Sequence, residues 1–205
     1  RLRAFPPSVV LSNLRSKTPD PFYSAKSVVL EIPVRSILSN QRSFNVFVQG
    51  LTVRLYEKEQ KEAKPFSLDF KLPFYVQNGL LLDGEIHYWG KGINVLARGV
   101  RAYFRQSKDS FVIKAEAASH AIHIPAIAHK LEGRAEIHIE AREKEIFLRR
   151  LKIQHPDLLI KAKGTLTDPK NPSIDIQATV RGPISLVADA FDLPFQWTGA
   201  AEGTG

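Results

Sequence analysis

Along much of this chain apolar and polar residues alternate one for one. In RAEIHIEAR (134–142), Ala135, Ile137, Ile139 and Ala141 fall on one side, with Arg134, Glu136, His138, Glu140 and Arg142 on the other. A strand separates two such sets cleanly, because successive side chains point to opposite faces; a helix would scatter them. The same period runs through 27–34 (Val28, Leu30, Ile32, Val34), 65–72 (Phe66, Leu68, Phe70, Leu72) and 111–119 (Phe111, Ile113, Ala115, Ala117). It continues through 145–153, 158–166 (Leu158, Ile160, Ala162, Leu166) and 173–182 (Ile174, Ile176, Ala178, Val180). In 43–57 the phase changes once: Phe44, Val46 and Val48 align, Gly50 permits a bulge or bend, and Leu51, Val53 and Leu55 align beyond it.

Turn formers punctuate these runs at TPDP (18–21), DPKNP (168–172) and RGP (181–183). The charged run YEKEQKEAKP (56–65) reads as a solvated hairpin loop, and the whole reads as an antiparallel meander. Helical material is confined to VRSILSN (34–40), IPAIAHKLEG (124–133) and GPISLVADAF (182–191). Helices that short cannot cover the apolar face of roughly eight or more strands. The face must therefore be buried against a second sheet, by closure into a barrel, or against something that is not protein. At about 25 cal/mol per Å², the driving force is too large to leave unused.

Composition narrows the picture a little. A length of 205 residues suits one all-β unit or two small domains, and 43% hydrophobic with 24% charged residues excludes a disordered chain. The net charge of +8 favours anionic partners, but aromatics are not interleaved with cations as a nucleic-acid platform requires, so no nucleic acid is expected. Without cysteine there is neither a disulfide framework nor a thiolate metal site. Without methionine the chain reads as an excised or processed piece of a longer protein, a single β segment over 1–205. No apolar run is long enough to span a bilayer, and no signal peptide is visible.

The chemistry-bearing residues converge on nothing. His120 and His123, with His129 beyond, have an H-x-x-H look, but on a strand i and i+3 face opposite ways, and a helix would lack the third ligand. We expect no metal there and ordinary surface histidines. Glu136, Glu140 and Asp175 alternate with basic residues, as cross-strand ion pairs do. There is no nucleophile elbow, P-loop or dinucleotide fingerprint, so neither catalytic residues nor a cofactor are expected, and the chain does not read as an enzyme. YWGKGINVLARGVRAYFR (88–105) mixes Tyr88, Trp89, Tyr103 and Phe104 with Lys91, Arg98, Arg101 and Arg105. It suits either a membrane interface or, the favoured reading, core anchors at Trp89 and Phe104 with the arginines on a wet face.

Several of these stretches resemble the AsmA/TamB-like group. An opening V-x-L-x-N-L (Val9, Leu11, Asn13, Leu14) precedes A-K-x-V-x-L-x-I (Ala25, Lys26, Val28, Leu30, Ile32), an S-I-L turn (Ser36–Leu38) and G-L-x-V-x-L (Gly50–Leu55). Later, G-T-L-T-D-P-x-x-P-x-I-D-I-x-A-T-V (Gly164–Val180) is similar to the group's repeated strand-turn-strand units. VVLSNL with LEIPV is similar to the opening strands of chorein-type lipid-transfer domains as well. The resemblance implies a mainly β fold: a long antiparallel sheet bent into a U-shaped groove with an apolar concave face, plus a few short helices. It implies that the groove takes phospholipid acyl chains on Val28, Leu30, Ile32, Val46, Val48, Val53, Leu55, Leu68, Phe70, Ile113, Ala115, Ala135, Ile137, Ile139, Leu158, Ile160, Ile174, Ile176 and Ala178. The implied role is one segment of a periplasmic bridge carrying lipid between inner and outer membranes, the full-length protein being anchored in the inner membrane. The alternative is an interaction scaffold or chaperone whose partner acts in outer-membrane protein assembly, receiving a client strand at a sheet edge. An unrelated closed sandwich or barrel is the third reading.

Overall fold

The computed structural model describes residues 2–3, 7–17, 22–38, 43–57, 75–90, 92–107, 110–123, 131–142, 145–167, 173–183 and 200–204. Twelve strands follow in chain order: β1 (Leu2–Arg3), β2 (Ser8–Arg15), β3 (Phe22–Glu31), β4 (Ser43–Tyr56), β5 (Tyr75–Trp89) and β6 (Asn94–Gln106). Then come β7 (Ser110–His123), β8 (Leu131–Arg142), β9 (Glu145–Gln154), β10 (Leu159–Thr167), β11 (Ser173–Pro183) and β12 (Ala200–Thr204). They form one sheet in strict sequence order, and β2 through β11 are each eight residues or longer. The sheet is mostly antiparallel, is not closed, and is not strongly curled. The mainly β class follows from the alternation, as expected.

One pairing departs from the meander. β4 and β5 run parallel, with Val48 beside Leu81 and Leu55 beside Tyr88. A parallel neighbour requires the chain to be carried back to the end of the sheet at which β4 begins. Residues 58–65, most of the run read as a hairpin loop, lie outside the described residues. The expected strand 65–72, with Leu68 and Phe70, lies outside the described residues, as do the turns at 18–21 and 168–172. RGP at 181–183 is no turn: Arg181, Gly182 and Pro183 continue β11 and pair with β12. Of the three helices expected, α1 (Val34–Leu38) is present, so Val34 is helical and not in a strand. Leu131–Gly133 belong to β8, and Gly182–Pro183 to β11; 124–130 and 184–191 lie outside the described residues.

Among the described residues the strands pack sideways and on nothing else. Extensive contact occurs only between neighbours in the sheet, and no second layer lies over either face among the described residues. The fully or nearly buried apolar residues there are Ala25, Val76, Val100, Ala117 and Leu158. α1 leaves Leu38 83% exposed and so covers no face. A two-layer domain would bury far more than this.

Candidate functional site

Residues paired across strands lie on the same side of a sheet, so the register assigns every position to a face. Beginning from Val48 of β4, one side carries Val28 and Leu30 of β3, Leu81 of β5, Ala102 of β6, Ala115 of β7 and Ile137 of β8. It continues through Leu151 of β9, Ala162 of β10 and Ala178 of β11. The other side carries Asn45, Gln49, Arg101, Glu116, Glu136, Arg150, Lys161 and Thr179. One face is apolar from β2 to β11; the opposite face is largely polar but carries an apolar row, Val10, Val29, Phe47 and Leu80, across β2 to β5.

The apolar face stays continuous although its strands change phase. On β2, Val9 and Leu11 are followed by Leu14; on β6, Phe104, Ala102 and Val100 give way to Ala97 and Val95. On β2, β4, β5 and β6 a residue at the change sits in the left-handed region: Asn13 at φ 54°, Gly50 at 62°, Asp83 at 55° and Gly99 at 60°. One such residue shifts the two-residue period by one, returning the next apolar side chain to the same face. Glycine bears this conformation without steric cost, and Asn and Asp tolerate it. The register sets Asn13 beside Lys26, Lys26 beside Gly50 and Gly50 beside Asp83, so the changes form a line across the sheet. The Lys26 ammonium reaches the Asp83 carboxylate at 3.7 Å along that line.

The polar face is tied together by side chains. Glu140 accepts from Arg142 and Arg149, each at 2.8 Å, and Glu136 lies 3.1 Å from Arg150. The hydrogen bonds from Arg149 and then Arg142 hold the Glu140 carboxyl below the usual carboxylate range. A ladder of donors crosses four strands: Tyr103 to Asn78 at 3.1 Å, Asn78 to Asn45 at 3.1 Å, and Asn45 to Glu31 at 3.4 Å. Trp89 stacks on Tyr56 at 4.7 Å on this polar face, so it is not the core anchor expected. Phe104 does sit on the apolar face, beside Phe111, with its ring over Gly79 where a Cβ would fall 1.6 Å away.

Most of the residues expected to form the lipid-facing set are together on the apolar side. Val28, Leu30, Val46, Val48, Val53, Leu55, Ile113, Ala115, Ala135, Ile137, Ile139, Ile160, Ile174, Ile176 and Ala178 share it. Ile32 lies just beyond β3, its amide bonded to the Pro7 carbonyl at 2.9 Å, and Leu158 just before β10, buried at 2% exposure. Sequence reasoning missed Leu81, Ile86 and Tyr88 of β5 and Val95, Ala97, Val100 and Ala102 of β6. The signal was present as a phase change at Asp83 and Gly99, of the kind read correctly at Gly50.

His120 is the exception on this face. It lies beside Ala97 and Gly133, only 5% exposed, and neither ring nitrogen has a hydrogen-bond partner. The expectation of a surface histidine fails here, because the phase change after Ala117 turns residue 120 inward. Burial, with a smaller contribution from the charge of His155, pushes its pKa down. His123 faces the other way, and among the described residues no three His, Cys, Asp or Glu side chains converge on a metal position.

The geometry defines a class: an open, one-layer, two-faced sheet. A face ten strands wide and about ten residues long covers on the order of 1,400 Å², against the few hundred Å² that soluble monomers expose in one apolar patch. Comparison of the sequence with protein-family models and with curated proteins finds no match. Among the described residues no helix is long and apolar enough to cross a membrane.

Proposed function

We propose that this chain is a segment of a bridge-like lipid transport protein whose apolar face shields phospholipid acyl chains. The observation that carries the reading is the continuous apolar face from β2 to β11 with no protein layer over it among the described residues. Acyl chains are the non-protein apolar partner that such a surface requires. In the loaded state the sheet bends into a U about the line of left-handed residues, with Ile137 and its neighbours on the concave wall. Tails slide along that wall while head groups stay at the wet opening, and no covalent step is involved. The AsmA/TamB-like resemblance supports a periplasmic setting between inner and outer membranes, with anchorage through parts outside this segment.

A scaffold role in outer-membrane protein assembly is the second reading, and one feature favours it. Among the described residues β12 pairs only with Thr179–Pro183, leaving residues 173–178 of β11 with an open edge. Such an edge accepts an added strand.

Two measurements test the lipid reading. Denaturing mass spectrometry of the purified chain is expected to release near-stoichiometric phospholipid, and its absence favours the scaffold. Ile137→Asp and Ile176→Asp are expected to lower the lipid load sharply while keeping a cooperative melt, because a carboxylate at an open face remains partly hydrated. Ile176 is already 53% exposed. Glu136→Ala, on the polar face, is expected to change neither. Aggregation of both variants means a packed interior, and a full load in both folded variants places the lipid elsewhere.

A further inference from the structure

The polar face holds a second feature that the apolar face does not explain. A shallow concavity of about 670 Å³ opens over β9, β10 and β11, walled by Arg149, Arg150, Lys161, Lys163, Gln177 and Thr179. The register pairs Lys161 with Thr179 and Lys163 with Gln177. Both pairs belong to the polar side, so the concavity opens there. Leu151, Ala162 and Ala178, whose side chains belong to the apolar face, complete the lining from beneath.

Its arginines are consecutive, which a regular strand would send to opposite faces. The register of β9 slips against both neighbours at this point, and a bulge lets adjacent side chains share a side. Arg149 reaches Glu140 at 2.8 Å and Arg150 reaches Glu136 at 3.1 Å, both acids lying on β8. Phe147 lies 4.3 Å from the Arg149 guanidinium and further fixes it. The acids therefore orient the arginines from one flank. On the other flank Lys161 stands opposite Lys152, and neither Lys161 nor Lys163 has an acidic partner within 4.0 Å among the described residues. Asp175 is the sole acid of β10 and β11 on that face.

Like charges set opposite one another destabilise a sheet, so this grouping calls for an anion. We propose that the concavity is an anion site for a phosphate group, with Lys161 and Lys163 supplying charge, Arg149 and Arg150 directed donors, and Gln177 and Thr179 neutral hydrogen bonds. Guanidinium and ammonium groups in one cradle match phosphate oxygens in number and geometry. The site is on the far side of the sheet from the apolar face and does not rest on the lipid reading.

The test uses the full chain at physiological salt with two probes, inorganic phosphate and vesicles. Phosphatidylglycerol vesicles are compared with phosphatidylcholine vesicles, so that attachment through the apolar face is subtracted. Lys161→Gln/Lys163→Gln is expected to weaken binding about thirty-fold, while Lys114→Gln, a lysine of the same face on β7, changes it less than two-fold. Amide shifts at Gln177 and Thr179 on titrating inorganic phosphate identify a free phosphate ligand. Binding of phosphatidylglycerol vesicles without such shifts identifies a headgroup held in a bilayer. Equal weakening by Lys114→Gln, or no preference for either anionic probe, overturns the proposal. So does a single-stranded oligonucleotide that binds more tightly than both.

Discussion

At the scale of single residues, His120 makes the sharpest statement. Its folded pKa lies below the usual value of about 6.5, because burial disfavours the imidazolium and His155 repels it. Below that value the unfolded chain takes up a proton that the folded chain resists. The stability His120 allows is therefore complete above about pH 6.5 and is lost as the pH falls toward the folded pKa. Urea melts from pH 7.5 to 5 are expected to show that decline, and His120→Leu to flatten it. The same variant is expected to gain about 1–2 kcal/mol at pH 7, since it removes two unsatisfied buried nitrogens. A slope unchanged in His120→Leu would assign the pH response to other groups. Gly79 is constrained by contact: Gly79→Ala forces the Phe104 ring aside, for about 1–3 kcal/mol. Combining it with Phe104→Leu is expected to cost less than the sum of the two, measured as a double-mutant cycle.

At the scale of elements, a strand is apolar on one face only if each break in its period is repaired. Asn13, Gly50, Asp83 and Gly99 make the repair through positive φ on β2, β4, β5 and β6. Gly99→Ala is expected to lose about 1–2 kcal/mol, because an L-residue pays for that conformation, and its Cβ would lie 2.9 Å from the Ala118 Cβ. Asn13→Gly is expected to move stability the other way or not at all. Thermal melts of the pair give opposite signs if backbone strain governs both positions. This also explains what was legible. β8, β10 and β11 keep one phase throughout, and their facing residues were read directly. β5 and β6 change phase midway, so neither shows a clean alternation and both escaped notice as strands. The parallel β4–β5 pair was illegible for another reason: strand direction leaves no mark on a two-residue period.

At the scale of the whole molecule, each strand leans, among the described residues, only on its neighbours, as repeats do in a linear array. Opening is then expected to proceed from the edges inward. Amide exchange should be fastest in β2 and β11 and slowest in β5 through β8, graded between them. Uniform protection across the sheet would mean that a second layer holds it. A lipid-stripped chain is expected to self-associate through its apolar face, seen by sedimentation as concentration-dependent growth that detergent reverses. Ile137→Asp with Ile176→Asp should suppress that association, since the two changes interrupt the face on β8 and β11.

The alternation in 134–142, 158–166 and 173–182 determined strand, face and polarity without any coordinates, because a period of two is a local property of the backbone. It also determined that something apolar had to meet that face, because short helices cannot cover so many strands. Tertiary structure alone decided that no protein layer meets it among the described residues, that β4 and β5 run parallel, and that the breaks in period line up across strands. It alone turned His120 inward and drew Arg149, Arg150, Lys161 and Lys163 around one concavity. Those outcomes depend on the register between one strand and the next, and the two-residue period within a strand does not encode register.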